Sequence, residues 1–184
     1  MIVAALDLLR SSGLSGAGLN QIVSASKAPK GSIYHFFPDG KHQLVAEALA
    51  YAERTVGDAI KEIFARPISA SQKVKILFAE TGDHLSESSY TRGCPIAAVT
   101  LDLDQTSEEL RSDCDRVFHT WMGAIAEGLA EIPSKERSQT AELILSTLEG
   151  ALILSRAYGT LDPVRRSGKS IGEYLALKYG EGRT

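Results

Sequence analysis

The chain of 184 residues has only two cysteines, Cys94 and Cys114, too few for a disulfide framework. It has no apolar run of about 18 residues, so no membrane span is expected. Its first residues lack a basic segment followed by an apolar stretch and a cleavage site. Export is therefore not expected, and a reducing cytoplasm is the simplest home. The usual signatures of catalysis are missing too. The glycine-rich stretch Gly13 to Gly18 is not G-x-G-x-x-G, and no strand precedes it. Gly168-Lys169-Ser170 lacks the earlier glycine of a P-loop, that position being Pro163, and G-x-S-x-G fails at Ala17. There is no H-E-x-x-H and no paired C-x-x-C, and Asp83, His84 and Cys94 are not spaced as metal ligands. Neither an enzyme nor a cofactor is expected. Cys94, with Arg92 as its one basic neighbour in sequence, reads as an inert thiol rather than a redox sensor.

A net charge of −3 argues at first against a nucleic-acid partner. Its distribution argues otherwise. Residues 1–50 carry Arg10, Lys27, Lys30 and Lys41 against Asp7, Asp39 and Glu47, a net +1. The other 134 residues hold 16 basic and 20 acidic side chains. DNA affinity follows local charge at the contact face, and three of the four N-terminal cations fall within residues 27–41.

What is present is helical periodicity. Ile2, Ala5, Leu6 and Leu9 mark one buried face, and Ser11-Ser12-Gly13 is expected to stop that helix before a loop from Gly13 to Gly18. Leu19, Ile22 and Val23 mark a short second helix. After a tight turn at Lys27-Ala28, Pro29 suits the first position of a third helix, with Ile33 pointing inward. Three short helices with a tight turn between the last two form a helix-turn-helix. A longer helix starts near Lys41, with Leu44, Ala48, Tyr51 and Thr55 as its stripe, and reaches Phe64. Val74, Leu77, Phe78 and Leu85 mark the next. Gly93-Cys94-Pro95 is a break before the apolar segment Ile96 to Leu103. Leu110, Cys114, Val117, Phe118, Trp121, Ile125 and Leu129 trace another helix, ended by Pro133. Residues 140–158 are apolar on more than one face, and Ile171, Tyr174 and Leu175 belong to a last helix. A helix apolar all round must be covered all round, either inside its own chain or by a partner chain. The expected fold is all-α, with a DNA-binding head over residues 1–42 and a helical ligand-binding and dimerisation body over 43–184.

The segment Lys30-Gly31-Ser32-Ile33-Tyr34-His35, followed by Phe36-Phe37, Pro38-Asp39-Gly40 and Lys41, resembles the TetR family of transcriptional regulators. Ala28-Pro29-Lys30, the extra Gly40 and Arg92-Gly93-Cys94-Pro95-Ile96 resemble its LmrA/YxaF-like branch. The resemblance implies a homodimer whose heads enter successive major grooves of operator DNA, and which a small molecule releases. Residues 134–158 and 162–178 would join the two copies. Three departures stand out. Gly18 replaces the serine or threonine that usually caps the second helix, and Lys27 stands where glycine is common. The chain also begins almost inside its first helix, so a basic leading segment is either lacking or cut off.

On this reading Lys30, Gly31, Ser32, Tyr34, His35 and Lys41 face DNA. Lys41 would lie in the first turn of a helix capped by Asp39 or Gly40. A cation there opposes the helix dipole unless a phosphate is held jointly with the free N–H groups. Phe36 and Phe37 read as core. Phe78, Phe118, Trp121, Met122 and Tyr158 either line an aromatic pocket for an aromatic or planar apolar ligand or simply fill the core. The alternative function is a helical ligand carrier or enzyme whose head no longer binds DNA.

Overall fold

A computed structural model describes residues 1–29, 31–105 and 107–180. Its regular elements are all helices: α1 (Ile2–Gly16), α2 (Leu19–Ser26), α3 (Ser32–Phe36), α4 (Gly40–Phe64), α5 (Ala70–Glu87), α6 (Pro95–Leu101), α7 (Glu108–Glu127), α8 (Ser134–Tyr158) and α9 (Asp162–Tyr179). The fold is all-α, with a helix-turn-helix order at its N-terminus and a helical body after it. Backbone packing divides the chain into two compact units. One holds residues 1–55 and 92–119, the other 56–91 and 120–184. This division is drawn differently from a cut at 42/43, because α6 packs on α1.

In the first unit α1 buries Ala5, Leu6 and Leu9. Its first run of regular helix ends at Gly13, as expected. Gly13 adopts φ 68°, ψ −172°, a conformation essentially confined to glycine, and one more helical turn follows to Gly16. The stretch from 13 to 18 is thus a kink and a turn rather than an open loop. Gly18 caps α2 with extended backbone (φ −75°, ψ 148°) but offers no side chain. Instead its N–H donates to Gln21 Oε1 at 2.9 Å. Lys27 ends α2 in the left-handed region at φ 56°, ψ 21°, as its place in the turn predicts, at a cost of about 1–2 kcal/mol.

Pro29 is not the first residue of α3. It precedes the helix, and its carbonyl accepts from Ser32 N–H at 3.0 Å and Ser32 Oγ at 2.7 Å, which builds the entry turn. Ile33 and Phe37 are buried, one helical turn apart. Gln43 Oε1 accepts from Asp39 N–H at 3.3 Å, so α4 is capped by its fourth residue reaching back. The buried side of α4 carries Leu44, Val45, Ala48, Leu49 and Ala52. The expected stripe through Thr55 drifts off this side, and Thr55 is exposed.

In the second unit α9 lies on α5 at close range. Gly168 and Gly172, one helical turn apart, bring the α9 backbone against Phe78 and against Ser71 and Lys75. Gly82 of α5 receives Val164 in the same way. Lys73 is buried, and its Nζ donates to the Gly128 carbonyl at 2.8 Å, beyond the end of α7. Glu131 caps α5 by accepting from Ala70 N–H. At the α8–α9 corner Ser155 has no exposed surface. Its Oγ accepts from Val164 N–H at 3.2 Å, and its carbonyl accepts from Gly159 and Thr160 N–H. No described helix is long and apolar enough to cross a membrane.

Candidate nucleic-acid interface

The helix α3 is five residues long, and its face is set by which two residues it buries. With Ile33 and Phe37 inward, Tyr34, His35 and Phe36 must point outward. Tyr34 is 67% exposed. His35 is exposed, and its ring meets Phe36 edge-on with centroids 5.0 Å apart. Phe36 is 59% exposed, which corrects its assignment to the core. Two adjacent phenylalanines cannot both follow Ile33 on one face, and helical geometry selects Phe37.

Gly31 stands just ahead of α3 at φ −73°, ψ −18°, so glycine is not demanded by its backbone. A Cβ there would meet nothing of this chain within 4 Å. Ser32 is half-buried and tied by its hydroxyl to the Pro29 carbonyl. Lys41 lies in the first turn of α4, where sequence placed it. Its Nζ donates to the Leu14 carbonyl at 2.6 Å, in the turn that follows the Gly13 kink. Lys30 lies outside the described residues. Gly31, Ser32, Tyr34, His35 and Lys41 all belong to the first unit.

The aromatic residues of the body fall in different surroundings. Phe78 is 1% exposed and is held against Gly168. Trp121 is buried with its ring edge beside Gly57. Phe118 and Met122 are half-buried. Tyr158, at the end of α8, is 64% exposed. Cys94 caps the start of α6, and burial of Cys114 pushes its thiol pKa up, which suppresses thiolate chemistry. His84 is exposed and pairs with Glu87 at 3.4 Å. Among the described residues no cluster of histidine, cysteine and carboxylate could hold a metal ion.

Residues 1–48 match the family model of bacterial regulatory proteins of the TetR family. Residues 70–170 match the model for the C-terminal domain of LmrA/YxaF-like transcriptional regulators. The chain belongs to the TetR family. Among this regulator's relatives is the HTH-type transcriptional regulator YxaF of Bacillus subtilis, 33% identical over 80% of this chain and 78% of that protein. An HTH-type transcriptional regulator of Mycobacterium tuberculosis is 32% identical over 98% of this chain and 95% of its own. The crystal structure of a TetR regulatory protein from Rhodobacter sphaeroides superposes with a TM-score of 0.86 at 19% identity, covering 94% of this chain and 95% of that one. This last likeness is one of fold. The TetR-family chain is thus a DNA-binding regulator in general character, and its fold and matches are those of a regulator rather than of a catalytic domain.

Sequence reasoning missed two residues of this regulator. Phe36 was hidden by its neighbour Phe37. Asp102, just after α6, accepts from Ser15 N–H at 2.9 Å across 87 residues of chain, and no local pattern announces it.

Proposed function

We propose that this TetR-family chain is an LmrA/YxaF-like repressor that binds operator DNA as a homodimer and leaves it when a small molecule binds the body. The observation that carries this reading is the outward face of α3. Tyr34 and His35 stand exposed beside a glycine whose missing side chain leaves open space outside the molecule. A major groove admits such a helix, and its phosphates lie within reach of hydroxyls, amides and cations. Lys30, Ser32 and Lys41 complete the set on the motif's resemblance. Residues 1–42 serve as the DNA-binding domain and residues 43–184 as the ligand-binding and dimerisation domain.

The homodimer reading is supported by the outer faces of α8 and α9. Leu143, Ile153, Leu154 and Tyr158 on α8, with Tyr174 and Leu177 on α9, are each more than 40% exposed. Apolar surface of that extent favours burial against a second copy. An aromatic or planar apolar inducer is supported by the chemistry of Trp121, Phe118 and Met122, and Phe78 and Tyr158 belong to the same proposal. The helix α4 acts as the lever between binding and release, since recognition helices must sit about 34–36 Å apart to read successive grooves.

The test is a mobility shift on DNA from immediately upstream of the gene. The expected result is a retarded band lost on Tyr34→Ala combined with Lys41→Ala. An unshifted duplex at 50 mM salt, with the protein folded and dimeric, refutes the repressor reading and leaves a helical ligand carrier. A cross-link that fixes α4 to the body should keep the protein on DNA in the presence of inducer, and normal release would refute the lever.

A further inference from the structure

Two hydrogen bonds from distant parts of the first unit meet on one chemical group. Lys41 Nζ donates to the Leu14 carbonyl at 2.6 Å, and Ser15 N–H donates to Asp102 Oδ2 at 2.9 Å. The Leu14 carbonyl and the Ser15 N–H belong to the same peptide group, which is trans. In a trans peptide these two bonds point in opposite directions. The Leu14–Ser15 peptide therefore sits as a dipole between a carboxylate and an ammonium, each at its favourable end. Bonds in such a chain polarise and strengthen one another.

The rest of the local structure exists to permit this. Gly13 takes a backbone conformation that other residues reach only with strain, and a Cβ on it would lie 2.5 Å from Asp102 Oδ2. The kink thus requires glycine, and any side chain there would also press the carboxylate out of its place. The turn that restarts after the kink has free N–H groups, and Asp102 satisfies that of Ser15. At its other end α6 is also tied to α1. Gly93 N–H donates to the Arg10 carbonyl at 3.2 Å, and Arg92 pairs with Asp7 at 3.4 Å. The helix α6 is stapled to α1 at both ends, so α1 and its terminal turn follow α6.

We infer that Asp102 is a positioning residue for DNA binding: through the Leu14–Ser15 peptide it fixes the ammonium of Lys41 for a DNA phosphate and links the end of α6 to that grip. The inference rests on the reading of Lys41 as a phosphate contact. One of the three ammonium donors is spent on Leu14, and two remain for phosphate. A lysine anchored in this way has already lost much of its rotamer freedom before DNA arrives. A displacement of the end of α6 would release the peptide, and with it the lysine.

The experiment uses the duplex that the wild-type protein enriches most from a randomised 30-bp pool. Affinity is measured over a range of salt for Asp102→Ala, Asp102→Asn, Lys41→Ala and the double variant Asp102→Ala with Lys41→Ala. Asp102→Ala should weaken binding about three- to tenfold, the freedom regained by one long side chain. It should also flatten the salt dependence toward that of Lys41→Ala, whose loss is about 0.9 in slope per phosphate. Asp102→Asn keeps an acceptor for Ser15 and should stay within about twofold of wild type. In the Lys41→Ala background the Asp102→Ala change should have no further effect. An equal loss with and without Lys41, an unchanged salt slope, or an asparagine variant as weak as alanine each overturns the inference while leaving DNA binding intact. Failure of the wild-type protein to enrich any duplex overturns the DNA-binding reading itself. Should Asp102→Ala not fold, Asp102→Glu moves the charge by one methylene and supports the same comparison.

Discussion

Gly168→Ala sets two effects of opposite sign against each other. Within a helix, alanine is favoured over glycine by about 1 kcal/mol. At this position the new Cβ would lie 2.6 Å from Phe78 Cβ and 2.9 Å from Phe78 Cγ. Carbon atoms pack best at about 3.5–4.0 Å, so roughly 1 Å must be found. Both atoms lie at the root of a side chain that is 1% exposed, so no rotamer change at Phe78 finds it. The α5 and α9 backbones must separate, which also loosens Val164 over Gly82. Overpacking of this kind costs about 1–3 kcal/mol. With rigid partners on both sides the upper half of that range applies, leaving a net loss of about 1–2 kcal/mol. For a chain of this size that lowers Tm by about 2–8 °C. Gly123→Ala on α7 is the control, because a Cβ there meets nothing within 4 Å and the position is exposed. It should raise Tm by about 2–4 °C. Thermal unfolding followed by circular dichroism measures both. If the two substitutions stabilise alike, the close approach of α5 and α9 is refuted.

Lys27→Gly should stabilise the protein by about 0.5–1 kcal/mol, since relief of the left-handed strain exceeds the entropy glycine loses on folding; a lower midpoint in urea would refute this. Glu136 joins α8 to α9 through Lys178 Nζ at 2.9 Å and the Tyr179 hydroxyl at 2.7 Å, and these partners hold its carboxyl below the ordinary value of 4.5. Its contribution is present above pH 4.5 and fades as pH falls through the lowered value. Melting temperature against pH should therefore decline less steeply on the acid side in Glu136→Gln, and identical acid limbs would contradict the assignment.

Much of the head could be read from sequence because its signals are local. Ile33 fixes the inner face of α3, Lys27 marks a turn that needs positive φ, and Gly93-Cys94-Pro95 breaks the chain just before α6. The misreadings share one cause. Periodicity counts positions but does not sense what lies across the gap. It could not tell Phe36 from Phe37, and it carried the α4 stripe on to an exposed Thr55. It read residues 13 to 18 as a loop, where the structure adds one more helical turn to Gly16. Lys41 was placed correctly in the first turn of α4, yet its bond to Leu14 comes from a residue 27 positions away. Phe78 shows the same limit in the body. Its close contact with Gly168 of α9 comes from a residue far along the chain, which its own aromatic character does not announce.

The corner at Ser155 bears on how two copies would meet. One residue ties backbone groups from both sides of the α8–α9 connection, so the two helices move as a single hairpin. A surface already held in shape surrenders little freedom on docking. If two copies pair through such hairpins, as proposed, no folding step would be needed, and the speed would be governed by how often the copies collide in the right orientation.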